Sequence, residues 1–281
     1  MKYKLICTDL DGTLLNNERK ISERDAQALK NAVKKGVNVA FSTGRLFASS
    51  RFYSYTIGLN PYIISSNGAY VRSLDKDNPM LNHNFTKSQF NKICSIINKY
   101  NVEFVMNTYD TVITKVPLPS NNAHVIANKI APPDLRVNIA VHRTLDDVYD
   151  TYNGQLLKSM FLFRNNPEIA PKIRQDLFDL GDLDLTSSSP FNLEIMPKGV
   201  SKFNGIETLC KYLNISPKEV LCFGDSENDL SMIENVGMGV AMGNAAEDIK
   251  SKADYITDTN DNYGISKAIE KFILSDDTPS C

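Results

Sequence analysis

Leu5-Ile6-Cys7-Thr8-Asp9-Leu10-Asp11-Gly12-Thr13 is a short apolar run that ends in two carboxylates two residues apart. The run predicts a strand. Alternate residues of an extended chain point to one side, so both carboxylates can face one pocket at the strand's carboxyl end, where Gly12 lets the backbone turn away. Two anions this close repel, and one pKa must rise steeply unless a proton or a cation lies between them. The pair therefore implies either acid chemistry on a shared proton or a hard divalent metal with oxygen ligands. Alone, Asp-Gly after a strand is also common turn chemistry.

A second apolar run, Val220-Leu221-Cys222-Phe223-Gly224, ends in Asp225-Ser226-Glu227-Asn228-Asp229, and helical spacing follows at Leu230, Ile233 and Val236. In parallel sheets the carboxyl ends of strands gather in one crevice, where ligands of open α/β folds bind. Asp9, Asp11 and Asp225 are expected to converge there, and three carboxylates in one pocket suit Mg²⁺. Helix capping is the competing account of the acids after Gly224. A third strand, Val37-Asn38-Val39-Ala40-Phe41, runs into Ser42-Thr43-Gly44-Arg45 and a helix, a setting that attracts anions. Thr43 as an ordinary N-cap and Arg45 as a surface charge are the plain alternatives. Lys202 begins an amphipathic stretch with Phe203, Ile206, Cys210 and Leu213 inward. Its ammonium suits a phosphate, although a lysine at a helix start is more often solvated.

Taken in order, Asp9-Leu10-Asp11-Gly12-Thr13, Ser42-Thr43-Gly44-Arg45, Lys202 and Gly224-Asp225-Ser226-Glu227-Asn228-Asp229 resemble the four motifs of the haloacid dehalogenase superfamily. The chain is most similar to the Cof-type sugar-phosphatase-like group. Ser65-Ser66-Asn67-Gly68-Ala69, Pro197-Lys198-Gly199-Val200-Ser201-Lys202 and Gly237-Met238-Gly239-Val240-Ala241-Met242-Gly243-Asn244-Ala245 look like further landmarks, so the resemblance covers nearly the whole chain. It implies an α/β fold, with a Rossmann-like parallel core over residues 1–82 and 199–281 and an inserted α+β cap of type IIB over 83–198.

The resemblance implies a Mg²⁺-dependent phosphatase acting on small phosphorylated metabolites, sugar phosphates foremost. Asp9 would attack phosphorus and form an aspartyl-phosphate. Asp11 would protonate the leaving oxygen and then take a proton from the hydrolytic water. The implied metal ligands are Asp9, Asp11 through its backbone carbonyl, and Asp225. Leu10, Thr43, Gly44, Lys202 and Asn228 would surround the phosphate, with Asp229 and Arg45 in support. A sugar phosphomutase could share these motifs, and a receiver-like phosphorylation switch or a binding module without turnover is a third reading.

Composition agrees with a soluble cytoplasmic enzyme. The 281 residues can bury a sizeable core, and a net charge of -2 gives no general attraction to nucleic acid. No run approaches the length of a membrane helix, and the acidic motif comes too early for a secretory signal before it. The five cysteines lack metal spacing and are expected as free thiols. His83, His124 and His142 fall in the expected cap and are read as structural or surface residues, which leaves the core no histidine for a Ser-His-Asp triad. Neither a GxSxG elbow nor a P-loop is present.

The punctuation predicts the elements. Ser22 and Asp25 cap a helix whose stripe is Leu29, Ala32 and Val33, ending at Gly36. In the insert, Thr86 and Gln89 cap a helix with Phe90, Ile93, Cys94 and Ile97 inward. Hairpin strands are expected around 103–116, a break at Pro132-Pro133, a strand at 157–163, a helix at 170–180 and a strand at 192–195. Ser275–Cys281 reads as a frayed tail. The cap carries no pattern that singles out one substrate; Asn107, Tyr109 and Arg143 are its polar candidates.

Overall fold

The computed structural model describes residues 2–164 and 166–275. Strands β1 (Leu5–Thr8), β2 (Asn38–Ser42), β3 (Tyr62–Ser65), β4 (Tyr70–Arg72) and β5 (Leu81–Asn82) come first. The middle of the chain supplies β6 (Glu103–Asn107), β7 (Thr111–Thr114), β8 (Asn138–Val141), β9 (Lys158–Leu162), β10 (Leu183–Thr186) and β11 (Asn192–Pro197). After them come β12 (Val220–Gly224), β13 (Met238–Ala241) and β14 (Tyr255–Ile256). The helices are α1 (Glu23–Lys34), α2 (Phe47–Ile57), α3 (Lys87–Tyr100), α4 (Ala123–Ile130), α5 (Val148–Thr151), α6 (Ala170–Phe178), α7 (Lys202–Leu213), α8 (Leu230–Ile233), α9 (Glu247–Lys250) and α10 (Gly264–Ile269).

One sheet has the order β14-β13-β12-β1-β2-β3-β4-β5. Its strands are parallel from β14 to β3, and the β3–β4–β5 edge is antiparallel. The chain leaves β1 for β2 on one side and returns as β12 on the other, so β1 and β12 flank the point where strand order reverses. Ligands of open α/β sheets bind at that point. Both faces are covered. Leu29, Ala32, Phe41, Phe223, Val240 and Ile265 pack on one side, and Leu5, Cys7, Cys222, Ile206, Leu209 and Met232 on the other. A doubly covered parallel sheet accounts for the unbroken apolar runs of β1 and β12.

The inserted strands form their own sheet in the order β10-β11-β9-β6-β7-β8, antiparallel except for β7 beside β8. Alternate residues Phe104, Phe161 and Ile195 face a core with Ile93, Ile97, Ile173 and Leu177 from α3 and α6. The opposite face carries Val105, Asn107, Lys158, Met160 and Glu194 towards the crevice of the first sheet.

Local chemistry follows the sequence closely. Ser22 accepts the Asp25 N–H at 3.0 Å, and Thr86 and Gln89 form a reciprocal capping box. Val33 departs from its expected stripe: it is 43% exposed in the last turn of α1, while Leu29 and Ala32 are fully buried. Cys7, Cys94, Cys210 and Cys222 are free thiols, and burial raises their pKa values, Cys210 to about 11. The tail beyond Ser275, with Cys281, lies outside the described residues. Among the described residues no helix is long and apolar enough to cross a membrane.

Candidate active site

Asp9 leaves β1 with its N–H donated to the Phe223 carbonyl at 3.0 Å, which prolongs the ladder to β12 past the strand. Its side chain meets Lys202, the first residue of α7. The Lys202 Nζ is 0% exposed and lies 2.8 Å from Asp9 Oδ1 and 2.5 Å from Asp229 Oδ1. The other Asp229 oxygen accepts the N–H groups of Asp225 (2.9 Å) and Ser226 (3.0 Å), which fixes the turn after β12. Thr13 donates its hydroxyl to Asp225 Oδ1 at 2.7 Å, locking the first acidic turn to the second. Gly12 is required between them. Its φ is +75°, and a Cβ there would lie 2.5 Å from Asp225 Oδ2.

Carboxylate oxygens of Asp9, Asp225 and Asp229 lie within 4.8 Å of one another. Three carboxylates against one ammonium leave an excess of negative charge in a place with little water. Burial pushes the Asp9 carboxyl well above its usual range; Lys202 pulls it back, while Asp229, Asp225 and Asp11 push it further up. Burial, and then Asp229, raise Asp225 to about 6. Burial works against the Lys202 charge, yet Asp229 and Asp9 hold that ammonium above its ordinary pKa. A buried, electron-rich cluster of hard oxygens fits a divalent cation. Asn228, in the same cavity, has a buried Oδ1 with no protein partner, as a group awaiting a ligand would.

Asp11 stands apart from this cluster. Arg45 grips its carboxylate with both arms, Nε to Oδ2 at 2.5 Å and Nη2 to Oδ1 at 2.6 Å. The guanidinium in turn lies 5.0 Å over the Tyr53 ring and bonds Ser49. Burial raises the Asp11 pKa, but the Arg45 charge and its hydrogen bonds more than offset it, so the group titrates below its usual range. Arg45 is therefore a partner of Asp11 rather than a solvated surface charge.

Thr43 and Gly44 follow β2. The Thr43 N–H donates to the Ile64 carbonyl at 2.8 Å, and its Oγ1 accepts the Arg45 N–H at 3.2 Å, which leaves the hydroxyl proton to donate elsewhere. Leu10 is fully buried beneath the first turn, its carbonyl accepting the Leu15 N–H at 2.8 Å. Asp9, Asp11, Thr43, Gly44, Arg45, Asp225 and Asn228 all line one cavity of ≈ 400 Å³. Lys202 and Asp229 lie directly behind it.

The inserted sheet closes this cavity with residues absent from the motif reading: Lys158, Glu194, Ser188 and Met160, besides Asn107. His124 on α4 also lines it, a correction to its reading as a structural or surface residue; burial, and then the Arg45 charge, lower its pKa to about 4. Of the other polar candidates, Tyr109 stacks on Tyr70 at 5.6 Å, and Arg143 lines a different cavity.

The family model described as haloacid dehalogenase-like hydrolase matches residues 6–269. Similar curated proteins include the 5-amino-6-(5-phospho-D-ribitylamino)uracil phosphatase YcsE of Bacillus subtilis, 31% identical over 272 residues that cover 96% of each chain. Phosphatase YwpJ of the same organism is 30% identical over 290 residues, covering 96% of this chain and 100% of YwpJ. Among solved structures, a haloacid dehalogenase-like hydrolase from B. subtilis superposes with TM-score 0.84 at 28% identity, covering 96% of this chain and 100% of the other. The HAD subclass IIB sugar phosphatase BT4131 superposes with TM-score 0.76 at 25% identity, covering 96% and 98%.

Proposed function

The chain belongs to the haloacid dehalogenase-like hydrolases, in their Cof-type group, and on that premise we propose that it is a Mg²⁺-dependent phosphatase working through an aspartyl-phosphate on Asp9. The observation that carries this reading is the buried Asp9 carboxylate, held by Lys202 at 2.8 Å beside Asp225 and Asp229 and open to a cavity lined by Thr43, Gly44 and Asn228. Lys202 holds one Asp9 oxygen and leaves the other to attack phosphorus in line with the leaving group. The Thr43 hydroxyl, the Gly44 amide, the Leu10 backbone and Asn228 bind the non-reacting oxygens. Asp11, at the mouth of the cavity, takes up a proton from solvent once the substrate's phosphate draws Arg45 off its carboxylate, gives that proton to the leaving oxygen and later takes one from the hydrolytic water. Arg45 keeps that carboxylate oriented until substrate arrives. Asp9, Asp225 and the Asp11 carbonyl are the residues that would hold Mg²⁺, with Asp229 in support. When bound, the ion neutralises phosphate charge and fixes its orientation.

Residues 83–198 act as the cap, and their inward face supports the choice of leaving group. Near the acids this face is polar, with Asn107, Lys158, Glu194 and Ser188. Further along, Val105, Val112, Met160 and His124 are shared with a second cavity of ≈ 280 Å³, which also has Leu118 and Leu162 in its walls. A small sugar phosphate fills the polar part. The adjoining cavity, whose walls mix Val105, Leu118 and Leu162 with Glu103, Lys115 and Arg164, favours a second substrate form, a sugar-alcohol phosphate bearing a ring, of the kind that YcsE is named for. We expect no nucleic-acid or membrane partner, and we expect the enzyme to work in the cytoplasm.

Phosphate release from a panel of hexose, pentitol, nucleotide, pyridoxal and flavin phosphates, with Mg²⁺ or with excess chelator, tests the proposal. Metal-dependent release that disappears in Asp9→Asn agrees with it. Release that persists in chelator sinks the metal assignment, and isomerisation of a hexose phosphate without net release would make the protein a mutase.

A further inference from the structure

We propose that Lys158 and Glu194, contributed by the inserted sheet, are positioning residues for the phosphate-binding loop at Thr43-Gly44. The inference rests on the reading of that loop as a phosphate site. Lys158 is 6% and Glu194 3% exposed, and their head groups are 3.1 Å apart. Burying such a pair is weak support for stability, because desolvation can exceed the attraction gained. What the two charges touch is therefore informative.

The Lys158 Nζ donates to the Gly44 carbonyl at 2.5 Å. The Gly44 carbonyl and the Arg45 N–H belong to one planar trans peptide and point in opposite directions. Holding the carbonyl fixes the N–H, which meets Thr43 Oγ1 at 3.2 Å. That bond occupies a lone pair of the hydroxyl and sets where its proton can point. Lys158 thus orients Thr43 through a rigid plane.

Glu194 secures the other end. Its Oε2 accepts Asn67 Nδ2 at 2.5 Å, Asn67 Oδ1 accepts Asn228 Nδ2 at 3.2 Å, and its Oε1 accepts the Ser188 hydroxyl at 2.6 Å. The inserted sheet is in this way bonded to two stations around the phosphate, Gly44 and Asn228. The fit at Gly44 is close. A Cβ there would lie 3.1 Å from Asn67 Oδ1, 3.2 Å from Glu194 Oε2 and 3.3 Å from Lys158 Nζ. The phosphate loop reaches its working geometry when the inserted sheet is docked on it, so turnover is coupled to docking through residues outside the four motifs.

The test uses the full chain with Mg²⁺, p-nitrophenyl phosphate as substrate and orthovanadate as a phosphate-shaped inhibitor, with thermal melting of each variant. Lys158→Met should lower kcat and weaken vanadate inhibition, each on the order of tenfold or more, while Lys158→Arg retains most of both. The double variant Lys158→Met/Glu194→Gln leaves no unpaired buried charge. It should melt near the wild type and still bind vanadate weakly. A folded Lys158→Met with unchanged vanadate inhibition, or a double variant that regains it, overturns the proposal. A wild type that neither turns over any phosphomonoester nor responds to vanadate refutes the proposed function itself.

Discussion

Lys202→Met removes the ammonium on which the acid cluster depends. Lys202 is fully buried and touches Asp9 at 2.8 Å and Asp229 at 2.5 Å, so methionine fills the space and leaves two carboxylates facing each other without a cation. Breaking a buried pair from one side costs about 3–5 kcal/mol. At roughly 2–4 °C per kcal/mol for a chain of this size, the melting temperature should fall by on the order of 6–20 °C in metal-free buffer at neutral pH. The sign of the pH dependence follows. Asp9 already has a raised pKa, and losing Lys202, the group that lowers it, raises it further. A carboxyl whose folded pKa exceeds its unfolded value contributes stability that is present below the unfolded pKa and lost as pH rises through the folded one. The deficit relative to wild type should therefore be small near pH 4 and grow towards neutrality. Thermal melts of both proteins with chelator across that range read it directly. A variant that melts within experimental error of wild type at neutral pH, or a deficit independent of pH, refutes the reasoning.

Three further outcomes follow from the same geometry. Without metal, the wild type should lose stability as pH rises from about 4 through the Asp225 pKa of about 6 and beyond, as Asp225 and Asp9 ionise against Asp229; Mg²⁺ should raise the melting temperature more at pH 8 than at pH 5. Arg45→Met frees the Asp11 carboxylate from the group that depresses its pKa, so the alkaline limb of kcat/KM against pH, where Asp11 loses the proton it gives the leaving oxygen, should move to higher pH; an unmoved limb would show that another group titrates there. Gly12→Ala places a Cβ against the Asp225 carboxylate at φ +75°, and should weaken Mg²⁺ binding by calorimetry and lower turnover by about 10²-fold or more, whereas full activity would place Asp225 outside the site.

How much could be read in advance depended on the kind of contact. The convergence of Asp9 and Asp225 was legible because apolar runs ending in acids are parallel strands, and the carboxyl ends of such strands share an edge. Lys202, Thr43 and Gly44 came with the same order of motifs. Closeness within the site was less legible. Asp229 belongs to the acid cluster because its carboxylate both binds Lys202 and ties down the turn after β12, and a linear sequence does not show which oxygen goes where. Arg45 became the partner of Asp11 through a fork that only the folded turn brings together. Lys158 and Glu194 were illegible as site residues for another reason, and Asn107 could be named only as one of three polar candidates in the cap. Lys158, Glu194 and Asn107 all share one face of an antiparallel sheet in which Asn107 pairs with Lys158 and Glu194 with Met160, and that register is set by packing on the opposite face, Phe104, Phe161 and Ile195. Two buried charges in otherwise apolar strands were the available signal. His124 gave none, since its place over the cavity depends on where α4 lies.

Identification of a covalent phosphoenzyme tests the central claim most directly. Wild-type protein mixed with Mg²⁺ and a phosphomonoester, quenched in acid during turnover and mapped by peptide mass spectrometry, should carry one phosphoryl group on Asp9 and none on Asp11, Asp225 or Asp229; Asp9→Asn should carry none and release no phosphate. Sustained phosphate release by Asp9→Asn, or a phosphoryl group on another residue, would contradict the account.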